Sequence, residues 1–153
     1  MNIDQTAKAP WHLWAVGVVS LLWNCVGAMD YILTKIQHPD YIAALTESMG
    51  VDTQTAIAYF TGFPLWMNLS WAIAVWTAVA GSVLLLLRNR YAFHAFVLSL
   101  IGLVLASYYQ LYANPVPGMT DSAIPLAFTA AILVITLALI WYARAMVAKG
   151  VLR

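Results

Sequence analysis

Four long apolar stretches restrict this chain to folds that a membrane can hold. The first runs from Trp11 to Leu33, and the others cover residues 64–87, 91–113 and 124–146. A helix needs about 20 mostly apolar residues to cross a hydrocarbon core of about 30 Å, so each stretch is long enough to span it. Charged residues make up only 8% of the chain, against about 25% in soluble domains. We therefore predict an all-α membrane protein.

The connections between the stretches predict an antiparallel four-helix transmembrane bundle that forms a single domain over residues 1–153. The second connection is a tight turn at 88–90, and the third is a modest turn at 114–118, so consecutive spans should pack as antiparallel neighbours. The first connection, 37–63, is longer, and Gly50 divides it. We predict one or two short amphipathic helices here, forming a cap over one mouth of the bundle. A disordered loop is the alternative, but the aromatic and aliphatic content of the segment 37–63 argues against disorder.

The charged residues predict the orientation of the four spans. If the spans alternate, six of the seven basic residues lie on one side and Lys35 lies on the other. The six are Lys8, Arg88, Arg90, Arg144, Lys149 and Arg153. Because Lys and Arg are enriched in cytoplasmic loops, both termini should be cytoplasmic and the cap extracytoplasmic. The acidic residues sort the opposite way, with Asp4 inside and Asp30, Asp40, Glu47, Asp52 and Asp121 outside.

The first span carries polar residues in an order that predicts a ligand-binding notch. On a helix, Asn24, Gly27 and Tyr31 share one face, and Asp30 lies on the adjoining face. Gly27 leaves a gap with an amide below it and a carboxylate and a phenol above it. Ionisable residues inside a membrane usually face the bundle interior or a cavity. We predict that the notch opens outward beneath the 37–63 segment, with Asp30 positioned to bind a cation, an amine or a sugar hydroxyl.

A structural alternative exists for these residues. Asn24 would then hydrogen-bond to another helix, and Asp30 would lie among lipid headgroups near Lys35. Aromatic residues at the same mouth have two interpretations as well. Aromatic walls with a few polar groups suit sugars, quinone rings or lipid tails, which adds Trp66, Tyr108 and Tyr109 to the predicted ligand site. The alternative is an interfacial aromatic belt.

Patterns for other chemistry are weak. His38 with Asp40 and Glu47 offers a metal only one imidazole, without recurring ligand spacing. A haem held by His12 and His94 would need facing imidazoles, and histidines near headgroups explain both residues more simply. Phosphate-binding loops, nucleophile elbows and metalloprotease His pairs are absent from the sequence, which argues against an enzyme. We predict no cofactor, no metal and, at a net charge of +1, no nucleic acid partner.

Several motifs resemble a known group of proteins. They are Trp23-Asn24-x-x-Gly27-x-x-Asp30-Tyr31, Phe63-Pro64-x-Trp66, Trp71-Ala72-x-Ala74-Val75-Trp76 and Gly81-Ser82-x-Leu84-Leu85-Leu86-Leu87-Arg88. Together they resemble small four-span inner-membrane proteins of Gram-negative bacteria, which sometimes carry the label "sugar transporter". The resemblance covers residues 11–109. It implies the four-span fold and a bacterial inner (plasma) membrane location, and it implies no mechanism.

We therefore expect a small integral inner-membrane protein that binds or transports a small polar or amphiphilic molecule at an outward-facing site. Its expected partners are the lipid bilayer, a small-molecule or lipid ligand, and either further copies of itself or a larger membrane complex. Small-residue stripes at Ser70–Gly81 and Ser99–Ala106 are candidate dimerisation surfaces. The alternatives are an accessory or assembly subunit of a larger membrane complex and a membrane enzyme acting on a lipid.

Overall fold

The computed structural model describes residues 8–115 and 123–153, and it confirms the predicted all-α bundle. The described helices are α1 (Trp11–Lys35), α2 (Pro39–Met49), α3 (Thr53–Thr61), α4 (Leu65–Leu86), α5 (Tyr91–Tyr108), a π-helical segment (Tyr109–Ala113) and α6 (Ile124–Ala148). Four of them are long and apolar enough to cross a membrane: α1, α4, α5 with its π-helical extension, and α6. The predicted positions of Asp4, of Asp121 and of residues 116–118 in the third turn lie outside the described residues.

The predicted cap consists of two short helices, α2 and α3. Pro39 occupies the first turn of α2, where its missing N–H has no helical partner to lose. The helix ends at Gly50, whose φ of 66° is left-handed and costs glycine nothing. Asp52 then caps α3, because its side chain accepts a hydrogen bond from Thr55 N at 3.0 Å. The two helices fall within the segment 37–63 that the sequence assigned to the cap.

Close backbone approach joins α4 and α5, which form the most extensive helix pair of the bundle. A Cβ atom on Gly102 would lie 2.6 Å from Ser70 O, so only glycine permits this spacing. Ser99 Oγ donates a hydrogen bond to Ala74 O at 2.7 Å across the same contact. The two small-residue stripes are therefore filled by each other within one chain. This corrects the interpretation that either stripe serves as a dimerisation surface.

Each end of the bundle has its own core. We call the end that carries α2 and α3 the cap end, and the end that carries the α4–α5 turn the basic end. All four spans meet at the basic end in a cluster that comprises Leu13, Leu85, Ala92, Phe96, Leu139, Ala143, Met146, Val151 and Leu152. The cap-end cluster is aromatic and comprises Tyr59, Phe63, Met67 and Ala106, with Phe60, Trp71 and Tyr109 packed against it.

The chain after α6 folds back onto the α4–α5 turn, which the sequence did not predict. Arg90 N donates to Arg153 O at 2.8 Å, and Arg153 N donates to Arg88 O at 2.9 Å. This pairing buries Val151 and Leu152 in the basic-end cluster. The last residues therefore belong to the folded core.

Helix α6 diverges from the rest of the bundle toward the cap end. Among the described helices it packs extensively only on α5. Its first half exposes large apolar side chains, namely Leu126, Phe128, Val134 and Leu137. Apolar exposure suits a helix surrounded by lipid tails, so this half of α6 is a lipid-facing or partner-facing surface.

Candidate functional site

Asp30 lies near the cap end of α1 and is bonded to the cap. Tyr41 of α2 donates its hydroxyl proton to Asp30 Oδ1. Burial, the hydrogen bond and the charge of Asp30 together raise the pKa of Tyr41 well above its ordinary value. The phenol therefore stays protonated at neutral pH and remains a donor. Asp30 Oδ2 accepts no hydrogen bond from any residue that the structure describes, so this oxygen is available to a ligand.

Open space adjoins Gly27, one helical turn from Asp30. A Cβ atom built on Gly27 would meet no heavy atom within 4 Å. The residue is nevertheless half-buried, because α1 runs along α4 at this depth. We call this open space the gap; the ligand-binding notch predicted there stays a prediction.

Asn24 is engaged by the neighbouring span. Its Nδ2 donates to Ser82 Oγ at 2.9 Å and to Ala78 O at 3.3 Å, both on α4. Ser82 is fully buried and donates its own proton to Ala78 O. This is the structural role that the sequence left open for Asn24 beside the ligand-binding role. The amide links α1 to α4 below the Gly27 gap.

Tyr31, one turn along α1 from Gly27, contacts aromatic residues of α4. Its ring lies edge-on to Trp71 at 5.0 Å and to Trp76 at 6.4 Å between ring centroids. Lys35 lies one turn further along α1, with its ammonium 5.6 Å from the centroid of the Trp71 ring. Lys35 also donates to Asn68 Oδ1 at the start of α4. The face of the Trp71 ring is therefore already occupied by the Lys35 ammonium.

The remaining predicted aromatic residues divide into two groups. Trp66 and Tyr109 come together with ring centroids 5.3 Å apart, and Phe63 lies 5.5 Å from Tyr109. Tyr108 is 58% exposed and pairs with Tyr112 instead. Tyr109 therefore packs on the cap-end cluster, the exposed Trp66 lies against Tyr109 at its edge, and Tyr108 lies on the outer surface of the helix.

The cap fills most of the aromatic mouth with its own side chains. Tyr59 and Phe63 are buried there, and their rings lie 5.0 Å apart. Tyr59 donates its hydroxyl proton to Asn114 O at 2.8 Å, which attaches α3 to the end of the π-helical segment. Burial and the neighbouring Tyr109 raise the pKa of Tyr59. The aromatic residues thus pack against one another beneath the cap. The open space lies on the α1 side, at Gly27.

His12 and His94, which were weighed as haem ligands, each contact other side chains. In residues 8–115 and 123–153, no three His, Cys, Asp or Glu side chains gather closely enough to hold a metal ion. His12 Nδ1 is hydrogen-bonded to the Tyr142 hydroxyl at 2.6 Å, whereas the ring of His94 packs against Tyr91 and Phe93. The two histidines therefore have different partners.

The ligand site predicted from the sequence did not include Tyr41, Lys35 or Asn68. A tyrosine two residues after the helix-starting Pro39 is a weak signal, because its target depends on how the cap folds back. Lys35 was visible as the lone basic residue on the cap side. Its contact with Asn68 could not be predicted, because it depends on how α1 and α4 are aligned along their lengths, and no local sequence pattern gives that alignment.

Comparison with known proteins yields no relative for this chain: no family model matches it, and neither a curated protein nor a solved structure shows significant similarity. The resemblance to small four-span bacterial proteins stays a prediction. The conclusion that stands on the structure is a multi-pass membrane protein with four candidate spans.

Proposed function

We propose that this protein binds a small polar or amphiphilic molecule in the gap at Gly27, with Asp30 as the polar anchor. The observation that carries the proposal is the Asp30 carboxylate, which holds one hydrogen bond from Tyr41 and has its other oxygen available beside open space. An ionisable group within a span is costly to keep, and it commonly marks a ligand or ion pathway. A partly satisfied carboxylate next to a gap fits that expectation.

The surroundings of Asp30 favour a ligand with an amine or another cationic group. The ring of Tyr31, which follows Asp30 on α1, lies edge-on to Trp71 and Trp76 of α4. Rings of this kind attract cations, and a carboxylate completes the recognition of an ammonium. An apolar tail on the same molecule would extend along the exposed side chains of α1 into the bilayer.

Transport of such a molecule is a further part of the proposal, and it requires more than one copy. Four helices rarely enclose a complete path, and the α4–α5 stripes are filled within the chain. A second copy would therefore pack against the exposed faces of α1 or α6. The proposed setting is the bacterial inner membrane, with both termini in the cytoplasm.

A second candidate function is that of an accessory subunit in a larger membrane complex. The divergence of α6 favours it, because the first half of this helix presents apolar side chains and lacks extensive contact with α1. A partner helix seated against α6 would cover them.

Thermal unfolding with matched amphiphiles tests the binding proposal. Dodecylamine carries the amine, and dodecanol has the same tail without the charge. We expect dodecylamine to stabilise the wild type more than dodecanol does, and Asp30→Asn to abolish the difference. Asp40→Asn is the matched control, because Asp40 is an exposed acid on α2. Equal stabilisation of Asp30→Asn and Asp40→Asn would contradict the proposal.

Native mass spectrometry of the protein extracted from membranes distinguishes the two candidates. A retained small molecule, on one or two copies of the chain, supports the ligand-binding function. Stoichiometric retention of a different membrane protein, without any small molecule, supports the accessory role instead.

A further inference from the structure

A shallow depression lies at the basic end, at the opposite end of the bundle from Asp30. It has a volume of about 280 Å³ and is lined by Leu87, Arg88, Asn89 and Arg153. Its walls come from two parts of the chain that are distant in sequence, the α4–α5 turn and the last residue. The pairing of Arg153 with Arg88 and Arg90 through backbone hydrogen bonds brings these parts together.

The backbone at this depression is held in a defined and unusual conformation. Arg88 has a φ of 58°, which is uncommon for residues other than glycine. Its Nε donates to Val151 O at 3.2 Å, so the side chain is fixed over the folded tail. The N–H of Arg88 donates to Leu85 O at 3.1 Å and that of Asn89 to Leu84 O at 2.8 Å, so this conformation closes α4 and fixes the shape of the turn.

Donors for an anion remain available around the depression. Asn89 Oδ1 accepts the N–H of Tyr91 at 2.9 Å, and its Nδ2 donates to no residue that the structure describes. The side chain of Arg153 is exposed and likewise has no partner within the described ranges. Amide and guanidinium N–H groups, which donate and never accept, suit phosphate oxygens.

The described charged side chains at this end are all basic. The other basic residues assigned to this end are Lys8, Arg90, Arg144 and Lys149, in addition to the two lining arginines. The described acidic residues, Asp30, Asp40, Glu47 and Asp52, all belong to the cap end. The C-terminus of α4 and the N-terminus of α5 meet in the turn, so their dipoles largely cancel. The positive potential therefore comes from side chains.

The depression lies at the depth of lipid headgroups. Residues 87–90 connect two candidate spans, so they occupy a membrane boundary. Exposed aromatic side chains surround this end, with Trp11 at 79% and Trp141 at 72% exposure. Tryptophan is enriched at the boundary between membrane and water. The Arg90 guanidinium lies 5.4 Å from the centroid of the Tyr91 ring at the same level.

We propose that this depression binds a negatively charged phosphate group, with Arg153 and the Asn89 amide as its donors and Arg88 as an adjacent positive charge. An anionic phospholipid and free phosphate are the two sources of such a group, and the headgroup depth favours the lipid. The inference is independent of the function proposed for the Asp30 gap.

Lipid add-back with native mass spectrometry tests the site. Delipidated protein is mixed with phosphatidylglycerol or with phosphatidylcholine, and the bound lipids are counted. We expect one phosphatidylglycerol to be retained in preference to phosphatidylcholine. Arg153→Gln should weaken its apparent affinity about fivefold, and Arg153→Lys should restore much of the loss. Arg144→Gln is the matched control, because Arg144 is exposed at the same end and does not line the depression.

Each outcome bears on the proposal. An equal loss of phosphatidylglycerol in Arg153→Gln and Arg144→Gln would overturn it, because general surface charge would then explain the binding. Binding of the two lipids in equal amounts would overturn it as well, and so would binding of neither lipid together with no stabilisation by inorganic phosphate. Thermal stabilisation by inorganic phosphate that Arg153→Gln abolishes, without phosphatidylglycerol retention, would keep the phosphate site and assign it to free phosphate. Circular dichroism of Arg153→Gln verifies that the helices are intact.

Discussion

The Tyr41 hydroxyl donates a hydrogen bond to Oδ1 of Asp30, so the first cap helix is attached to the carboxylate of the first span. The bond satisfies one oxygen of a group that is costly within a membrane. It also holds α2 against α1, whose mutual contact is otherwise limited. The position of the cap and the polarity of the gap are therefore coupled through one pair of side chains.

We expect Tyr41→Phe to loosen the cap while the spans stay folded. The substitution removes the donor to Asp30, and a hydrogen bond to a charged group contributes about 1.5–3 kcal/mol where it is well formed. Hydrogen–deuterium exchange should accelerate across α2 and remain unchanged in α4 and α5. Tyr91→Phe is the control, since Tyr91 is exposed at the basic end. Unchanged exchange in α2 would show that the bond contributes nothing to cap stability.

A larger side chain at Gly27 should block ligand binding without lowering the stability of the protein. Gly27→Leu adds a side chain where a Cβ meets no atom within 4 Å, and leucine is about 1 kcal/mol more favourable than glycine within a helix. We expect the melting temperature to hold or rise while stabilisation by dodecylamine disappears.

The same substitution at Gly102 provides the matched control. A Cβ there would lie 2.6 Å from Ser70 O and 2.7 Å from Ala74 N, and backbone atoms cannot move aside. Gly102→Leu should therefore destabilise the protein by at least the roughly 1–3 kcal/mol typical of overpacking. If Gly27→Leu unfolds the protein as readily, the space at Gly27 is not open.

The sequence predicted the spans and the cap because their signals are local. Span length, the Arg88–Arg90 turn, Pro39 and Gly50 each act within a few residues. The sequence also showed the two small-residue stripes, but it did not show which helix packs against each of them. Whether Gly102 approaches another helix of this chain or a second copy depends on tertiary packing, and the structure gives the former.

The contacts of the candidate site depend on the rotation and register of whole helices. Asn24 was recognised as an amide at mid-depth, whereas its partner Ser82 lies 58 residues away on α4. Tyr41 reaches Asp30 only because α2 folds back at the end of α1. The burial of Leu152 was not predicted either, since it depends on the chain after α6 folding back onto the α4–α5 turn.

A double-mutant cycle should measure the link between Asn24 and Ser82. Single substitutions of each residue by alanine, and the double substitution, isolate the pairwise free energy. Hydrogen bonds between membrane helices average about 0.6 kcal/mol in such cycles, with a maximum of about 1.7 kcal/mol. We expect a coupling in this range from unfolding in mixed micelles. A cycle of Asn24 with the distant Ser99 should give none, and coupling there would indicate a global effect.

The buried residues after α6 should contribute to the free energy of unfolding. Leu152 is 3% exposed within the basic-end cluster, so Leu152→Ala should lower the free energy of unfolding by about 2–5 kcal/mol. The control Leu126→Ala alters a side chain that is 56% exposed on α6, and its effect should be small. Comparable losses in the two variants would mean that the tail is not packed into the core.

Alkaline pH should destabilise the cap through Tyr59. Its pKa is raised in the folded protein, chiefly by burial, whereas a tyrosine in the unfolded chain ionises near pH 10, its ordinary value. Above about pH 10 the unfolded state therefore binds fewer protons than the folded state, and the free energy of unfolding falls as the pH rises. Below that pH, Tyr59 contributes no pH dependence. Tyr59→Phe should make the alkaline decrease shallower, as measured by thermal unfolding across this range. Tyr112→Phe, at a position that is 73% exposed, should leave the decrease unchanged.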